Sequence, residues 1–413
     1  MRKINTRNFH LATRSTPREV NRRIVLNLIR EYEPISRAEL ARRMNVHRST
    51  LTGLVRELVA SQVVFEQGTA ASVRGRRPTM LRVRTRGRLV LAVDVRSNRS
   101  VIALSDAAGR MLGRQTFATP KSPDDLPALL AALSTELLSQ HGPDAAEQCH
   151  AMGIVLPGMI DRTTGRLIYA PRLGWRDVDL RRAVTAAVGR RVFVESAPIA
   201  CALARLWLEP EATRLVNSFA YVSVSEGIGV GLVVNGEVLR GEAHTAGEFG
   251  HVSLDTTGPE CVCGKRGCWE ALACNAATVE RYARHLTGGS PPGNGAAKRL
   301  RGQPMVDIGD VVRRAKSGEP AAVSALVETG RHIGRGLAVV VSAFNPGRIY
   351  VGGEITEVWE FLEEPIKEAL TAGSISERAR ATPIVADGNP AEYRLLGAVA
   401  LVTAPSYAAL PVG

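Results

Sequence analysis

The 413-residue chain has no long, uninterrupted apolar segment. A helix that crosses a bilayer needs about 20 consecutive apolar residues, and no run in this sequence approaches that length. Residues 1–5 are basic, but no apolar stretch of the kind found in secretion signals follows them. We therefore expect no membrane partner, and we expect the protein to be cytoplasmic.

Acidic residues are scarce in the first fifth of the chain. Residues 1–88 contain 20 Lys and Arg but only 6 Asp and Glu, whereas the remainder contains 33 basic and 34 acidic residues. The net charge of +13 therefore originates in the N-terminal segment. A localised positive field indicates a polyanionic partner. Charge alone leaves one alternative open, a basic tail that is merely solvated.

The hydrophobic pattern of this basic segment predicts three short helices. Apolar residues in the stretch 18–31 fall on one helical stripe. Ser36 and Glu39 have the S-x-x-E spacing of a capping box, which predicts the start of a second helix. A tight turn at Asn45 leads into a third helix, predicted at about residues 47–60.

Three short helices with a tight second connection match the helix-turn-helix arrangement, in which the third helix enters the major groove. The first side chains of that helix are small hydrogen-bonding groups and one arginine, which suit base edges and phosphates. We predict that DNA is contacted by His47, Arg48, Ser49, Thr50 and Thr52. A three-helix protein-binding module is the alternative, and the basic surface argues against it.

A β-hairpin is predicted directly after the third helix. Residues 63–65 begin a strand, and residues 81–84 alternate apolar side chains with arginine, as in a return strand. The turn between them resembles an arm that lies in the minor groove, with arginines at Arg74, Arg76 and Arg77. A merely basic hairpin is the alternative. We therefore predict a winged helix-turn-helix domain at residues 1–86, with a double-stranded DNA operator as partner.

Three cysteines and a histidine lie close together in the middle of the chain. Cys261, Cys263 and Cys268 fall within eight residues, and His251 precedes them by ten. Three thiolates and one imidazole form the closed tetrahedral set that structural zinc prefers. A disulfide is the alternative, and C-x-C spacing in a cytoplasmic protein argues against it. We predict that these four residues bind Zn²⁺.

From about residue 88 onward, apolar strands alternate with helical stretches, which predicts an α/β domain. Strands are expected at residues 88–94, 101–105, 153–156, 192–194, 220–224 and 230–234. Helices are expected at residues 124–140 and 176–188.

Several segments of this region resemble blocks of the ROK family (repressors, open reading frames and sugar kinases). They are V-S-E-G-I-G-V-G-L at 224–232 with Gly241, G-E-F-G-H at 247–251, L-P-G at 156–158, A-P-R-L-G-W at 170–175 and N-P-G-R-I-Y-V-G-G at 345–353. The resemblance covers about residues 88–400, and repressors of this family carry a winged helix in front.

The resemblance implies an actin/hexokinase-like fold, with two α/β lobes and a cleft between them, over residues 87–413. Lobe one is expected at about residues 87–200 plus a C-terminal helix at about 390–413. Lobe two is expected at about residues 201–389, with the zinc loop at 251–270. The resemblance also implies that sugar is bound by Glu248, His251 and Glu270. As an alternative, the two carboxylates only orient the zinc loop.

Three departures from the family argue against kinase chemistry. Kinases of the family carry D-x-G-x-T after the first strand, and Arg96 stands here in place of the glycine. Glu226 brings a negative charge to the second phosphate turn. Ala197 stands where the resemblance implies the catalytic aspartate, and alanine cannot accept a proton. Glu195 lies nearby, but general-base geometry is strict.

The sequence thus predicts a transcription regulator, in the simplest case a repressor, rather than an enzyme. A homodimer or homotetramer would bind the operator, and a sugar or sugar derivative in the cleft would change the angle between the lobes. Two alternatives remain open at this point. One is a residual ATP-dependent sugar kinase, and the other is a regulator controlled by a protein partner.

Overall fold

The structure is a computed structural model of the chain, and it describes residues 18–69, 79–84, 87–209, 216–242, 245–287, 306–388 and 390–408. The predicted wing arginines, Arg74, Arg76 and Arg77, lie outside these residues. None of the described helices is both long enough and apolar enough to cross a membrane.

The N-terminal region contains three helices and a small sheet. The helices are α1 Arg18–Tyr32, α2 Arg37–Met44 and α3 Arg48–Ala60. The strands are β1 Ile35–Ser36, β2 Val64–Thr69 and β3 Thr79–Val83, and β3 lies between the other two in antiparallel pairing. The three helices and the hairpin strands were predicted from the sequence. The pairing of β1 was not, because two residues give no periodic signal.

Local sequence explains how α2 begins and ends. The Ser36 hydroxyl accepts a hydrogen bond from the Glu39 backbone N–H at 3.1 Å, as expected of an N-cap. Asn45 closes the helix in the left-handed conformation, with φ of 50°. This compact exit produces the tight connection to α3 that the sequence predicted.

A first five-stranded sheet has the order β11-β7-β4-β5-β6, with β4 and β11 parallel to β7. Its strands are β4 Leu89–Asp94, β5 Arg99–Asp106, β6 Met111–Ala118, β7 Cys149–Leu156 and β11 Arg191–Ser196. A separate small sheet contains β8 Met159–Asp161, β9 Arg166–Ala170 and β10 Trp175–Val178. The accompanying helices are α4 Leu126–Ser139, α5 Ala145–Gln148 and α6 Leu180–Val188.

One expectation for this region is wrong in part. The sequence predicted a helix over residues 176–188, but residues 176–178 belong to β10 and the helix begins at Leu180. Trp175 explains the difference, because its side chain is 2% exposed and anchors β10 beside β9. Tertiary packing thus overrides the local helical pattern.

A second five-stranded sheet has the order β14-β13-β12-β15-β16. Its strands are β12 Phe219–Val224, β13 Ile228–Val234, β14 Glu237–Leu239, β15 Ile349–Gly352 and β16 Ile384–Ala386. The remaining helices of the described residues are α7 Ala197–Trp207, α8 Trp269–Ala273, α9 Asn275–Leu286, α10 Ile308–Lys316, α11 Pro320–Phe344, α12 Glu363–Gly373, α13 Glu377–Arg380 and α14 Pro390–Thr403.

Helices α7 and α14 pack against each other and join the two sheets. Helix α14 lies on β7 and β4, and α7 lies on β13 and β12. Both approaches require glycine: a Cβ on Gly153 of β7 would lie 2.0 Å from the Ala398 carbonyl oxygen, and one on Gly231 of β13 would lie 2.2 Å from the Pro198 carbonyl oxygen. The C-terminal helix ends at Thr403, earlier than expected, and a short 3₁₀ turn follows it.

Candidate DNA-binding surface, metal centre and ligand cleft

The predicted DNA-contacting residues form one exposed surface at the start of α3. His47 is the N-cap of α3. The apolar side of the helix faces the core, where residues such as Leu51 and Leu54 are buried. The exposed residues are His47, Arg48, Ser49, Thr50 and Thr52. Arg56, which no sequence motif singled out, is also exposed and lies four residues after Thr52, one helical turn away.

The structure brings the four predicted metal ligands together. The candidate donor atoms of His251, Cys261, Cys263 and Cys268 all lie within 4.8 Å of one another. The Cys263 and Cys268 sulfurs are 3.6 Å apart, and the Cys261 sulfur is 3.5 Å from Nδ1 of His251. A disulfide requires sulfurs about 2.0 Å apart, so this spacing excludes the alternative.

These distances fit a tetrahedral zinc ion. With Zn–S bonds of about 2.3 Å, tetrahedral geometry separates two sulfurs by about 3.8 Å and a sulfur from an imidazole nitrogen by about 3.6 Å. The observed separations of 3.6 and 3.5 Å lie close to both values. The donor set is the thiolate-rich type that zinc occupies in closed structural sites.

The metal centre joins two pieces of chain that line the cleft. His251 ends a 3₁₀ turn, Glu248–His251, and Cys268 directly precedes α8. The loop between the cysteines packs tightly at Gly267. Only glycine fits there, because a Cβ on Gly267 would lie 1.4 Å from the Asp255 carbonyl oxygen. An ion bound by both segments therefore holds the 248–251 turn beside the start of α8.

A cavity of about 220 Å³ lies between the ends of the two large sheets, and the three predicted ligand-binding residues line it. Nδ1 of His251 faces Cys261, while its Nε2 faces the cleft, 3.8 Å from Oε2 of Glu248. One ring can therefore serve both the metal and a ligand. Desolvation by the cleft walls raises the pKa of Glu248, although 44% of its side chain remains exposed.

Glu270 is more constrained than Glu248. Its side chain accepts a hydrogen bond from the Ile228 backbone N–H at 2.9 Å, and Arg172 approaches it at 3.4 Å. A Cβ on Gly227 would lie 2.4 Å from Oε2 of Glu270, so this carboxylate lies directly beneath the second glycine-rich turn. Glu270 thus fixes that turn in addition to lining the cleft.

Arg96 fills the turn that follows the first strand. Its guanidinium contacts Asp94 at 2.8 Å and Glu354 at 2.9 Å, and Arg394 holds the other oxygen of Asp94 at 2.6 Å. Ser97 adds a hydrogen bond to Glu226, the departure seen in the second turn. An ion-pair network thus connects the two sheets at the position where the family resemblance predicts a nucleotide phosphate site.

The segment that would supply a catalytic base contains no free carboxylate. Ala197 lies at the first turn of α7 and lines the cleft. Glu195 is 3% exposed and pairs with Arg240 at 3.0 Å, while its other oxygen accepts from the Ser196 backbone N–H. Glu195 is therefore engaged within the protein, which the sequence did not reveal.

Three arginines of the cleft were missed by sequence analysis. Arg162 follows β8, Arg172 follows β9 and Arg240 follows β14, and all three line the cavity. They come from three separate segments. Arg172 lies within the A-P-R-L-G-W block at 170–175, but neither Arg162 nor Arg240 belongs to a motif. No local signal pointed to those two, because only the tertiary fold brings their loops to one place.

The comparisons with known proteins agree with this architecture. The ROK family model matches residues 90–404, and the MarR family model matches residues 21–64 within the three-helix region. The chain is 28% identical over 348 residues to the xylose repressor of Bacillus subtilis strain 168, covering 84% of this chain and 85% of that protein.

Two solved structures are similar to the chain as well. One is a ROK family transcriptional regulator described as a homologue of the Escherichia coli MLC protein, with a TM-score of 0.77 and 25% identity over 95% of this chain and 97% of that one. The other is a ROK family glucokinase from Streptomyces griseus in complex with glucose and AMPPNP, with a TM-score of 0.66 and 26% identity over 76% of this chain and 98% of that one.

Proposed function

Because the chain belongs to the ROK family, we propose that it is a DNA-binding transcriptional repressor whose cleft binds a sugar or sugar derivative without phosphorylating it. One observation carries this proposal: Arg96 and its carboxylate partners fill the phosphate turn, while the cavity beside Glu248 stays open. A sugar kinase needs the phosphate turn open as well as the sugar cavity, because its turns must admit phosphate oxygens.

The N-terminal region, residues 1–86, is the proposed operator-binding domain, and residues 87–413 form the sensor. Two copies of the chain would place two α3 helices in successive major grooves of an inverted repeat. The wing arginines, Arg74, Arg76 and Arg77, would add minor-groove contacts. The regulator would act in the cytoplasm as a homodimer or homotetramer, and an effector in the cleft would shift the half-site spacing.

Zinc has a structural role in this proposal. His251, Cys261, Cys263 and Cys268 would hold the ion, which supplies a rigid cross-link rather than a reacting group. The cross-link orients Glu248 and the segment carrying Glu270 toward the cleft.

The test uses the full-length protein and an operator selected from random DNA duplexes. Fluorescence anisotropy should show binding that weakens steeply with salt, and a sugar should change that binding. A coupled assay should detect no ADP formation from ATP with xylose or glucose. ADP formation at enzymatic rates would support the kinase alternative. DNA binding that no sugar alters would favour control by a protein partner.

A further inference from the structure

One end of the cleft contains two arginines and one carboxylate. Arg240 donates a hydrogen bond to Glu195 at 3.0 Å, so this carboxylate is already paired within the protein. Arg162 lines the same cavity and has no hydrogen bond or ion pair from its side chain to any residue that the structure describes. Glu195 and Glu237 attract its charge from a distance, but neither forms an ion pair with it, so its N–H donors have no protein acceptor among the described residues.

The electrostatics of the two arginines show that they are close and incompletely paired. Partial burial lowers the pKa of Arg162 and repulsion from Arg240 lowers it further, while attraction by Glu195 and Glu237 opposes both effects. Nε of Arg240 is buried without a hydrogen-bond acceptor, although its side chain is only 10% exposed. A buried charged donor without an acceptor costs free energy, so a ligand acceptor at this point would be favoured.

The first turn of α7 adds a further positive contribution. Ser196, Ala197 and Pro198 line the cavity, so the N-terminal end of this 11-residue helix faces the cleft. Helix N-termini carry partial positive charge and favour anions. Ala197 adds no negative charge where the family resemblance places an aspartate. The nearest carboxylate, Glu195, is held by Arg240 and by the Ser196 backbone N–H, so an anionic group meets no unpaired carboxylate at this turn.

We propose that the effector is an anionic sugar derivative, whose phosphate or carboxylate group binds between Arg162, Arg240 and the first turn of α7. This inference rests on the proposed function and names the class of ligand for the same cleft. Guanidinium groups bind both kinds of oxyanion through paired N–H donors. Glu248 remains as an acceptor for the sugar hydroxyls. A neutral sugar would leave the Arg162 guanidinium and Nε of Arg240 without an anionic acceptor.

The experiment measures affinities by calorimetry on the full-length protein with its metal. The probes are glucose, glucose 6-phosphate and glucuronate, which differ only at C6, then xylose and xylonate, and inorganic phosphate. We expect at least one phosphorylated or acidic sugar to bind at least about 10-fold more tightly than its neutral parent. Tighter binding of glucose 6-phosphate would identify the effector class as a sugar phosphate, and tighter binding of glucuronate or xylonate would identify it as a sugar acid.

Arg162→Gln isolates the proposed contact, because the residue is exposed and supports no other side chain in the described structure. It should weaken binding of the anionic sugar about 10- to 100-fold and leave a neutral sugar unchanged. Arg182→Gln is the matched control, because Arg182 lies on α6 outside the cleft and is 84% exposed. Ala197→Asp, which restores a carboxylate beside the anion, should also weaken binding of the anionic sugar.

Several results would overturn the inference. A neutral sugar that binds as tightly as its anionic counterpart would refute the anionic class and leave the sugar-sensing function standing. The same conclusion follows if Arg162→Gln binds the anionic sugar like the unmodified protein. If inorganic phosphate binds as tightly as every sugar, the site recognises only the anion. If no probe binds, both the inference and the sugar-sensing function fail, and operator binding is unaffected.

Discussion

Arg96 is a single side chain that changes what the cleft can do. Glycine at this position would let the backbone approach a phosphate, whereas the guanidinium occupies the turn and pairs with Asp94 and Glu354. Where kinases of the family have glycine, the Arg96 side chain therefore forms a contact between the two sheets. The sequence revealed the departure, and the tertiary structure shows its partners.

Arg48 provides a test of the DNA-binding surface at the residue scale. Arg48→Ala should weaken operator binding by about 1–3 kcal/mol, because the side chain is exposed at the start of α3 and can reach bases or phosphates. Anisotropy titrations over a range of salt concentrations measure this change. A contact to phosphate would also reduce the slope of log affinity against log salt by about 1. Arg110→Ala, an exposed arginine of the sensor, is the control and should bind like the parent.

Cys263 provides a test of the metal centre. It is the exposed member of the four ligands, so Cys263→Ser removes a thiolate with little loss of packing. We expect the zinc content, measured by elemental analysis, to fall well below one ion per chain, and the melting temperature to fall with it. Cys149→Ser changes a buried thiol outside the cluster and should retain the metal. Full zinc occupancy in the Cys263 variant would contradict the assignment.

Helices α7 and α14 form the element that connects the cleft to the rest of the sensor. A buried network joins α7 to the second sheet: Arg205 of α7 pairs with Asp387 at 2.7 Å, and the Tyr221 hydroxyl donates to the same carboxylate at 2.6 Å. Asp387 is fully buried, and burial raises its pKa to about 6. The network therefore fixes the geometry of two elements that border both sheets.

The buried pair predicts a large effect from one substitution. Asp387→Ala removes the fully buried partner of Arg205 and leaves only the partly exposed Glu209, so it should lower the free energy of unfolding by about 3 kcal/mol. Urea denaturation measures this loss. Glu363→Ala removes the acidic partner of Lys367 in a surface pair and should cost less than about 1 kcal/mol. Equal losses in the two variants would show that the buried network does not contribute as described.

At the scale of the whole molecule, α1 connects the DNA-binding region to the sensor. The Asn27 amide donates to the Tyr407 carbonyl oxygen at 2.8 Å, and Asn27 is 2% exposed. The Arg30 guanidinium lies 5.0 Å from the ring centre of Trp207 and 4.6 Å from that of Tyr407. Trp207 is the last residue of α7, and α7 begins at the cleft. A single helix therefore leads from the ligand cleft to the contact with the N-terminal region.

Weakening this contact should uncouple the two regions. In the double variant Asn27→Ala and Arg30→Ala, we expect calorimetry to show the N-terminal region unfolding several degrees lower, with the sensor transition unchanged. Arg42→Ala, on the exposed side of α2, should leave both transitions in place. An unchanged profile in the double variant would mean that the contact contributes little to cooperativity.

Much of the fold could be predicted because its signals are local. The capped start of α2 at Ser36 and the strands of the α/β region follow from side-chain spacing. The pairing of β1 and the start of α6 could not be predicted, because they depend on packing between distant segments. The same limit applies to the site. The spacing of the cysteines predicted a metal centre, whereas no feature of the sequence indicated that Arg162 and Arg240 line the cleft.

By itself the sequence determined that the chain has a basic helix-turn-helix head, a Cys₃His metal cluster and a kinase-like domain with altered phosphate turns. These features reside in short motifs, whose chemistry depends on neighbours in the chain. Only the tertiary structure decided that Glu195 is engaged by Arg240, that Arg96 bridges the sheets and that the Arg162 side chain has no hydrogen bond or ion pair among the described residues. Charge balance in a cleft is set by residues far apart in sequence, so folding must bring them together before it can be evaluated.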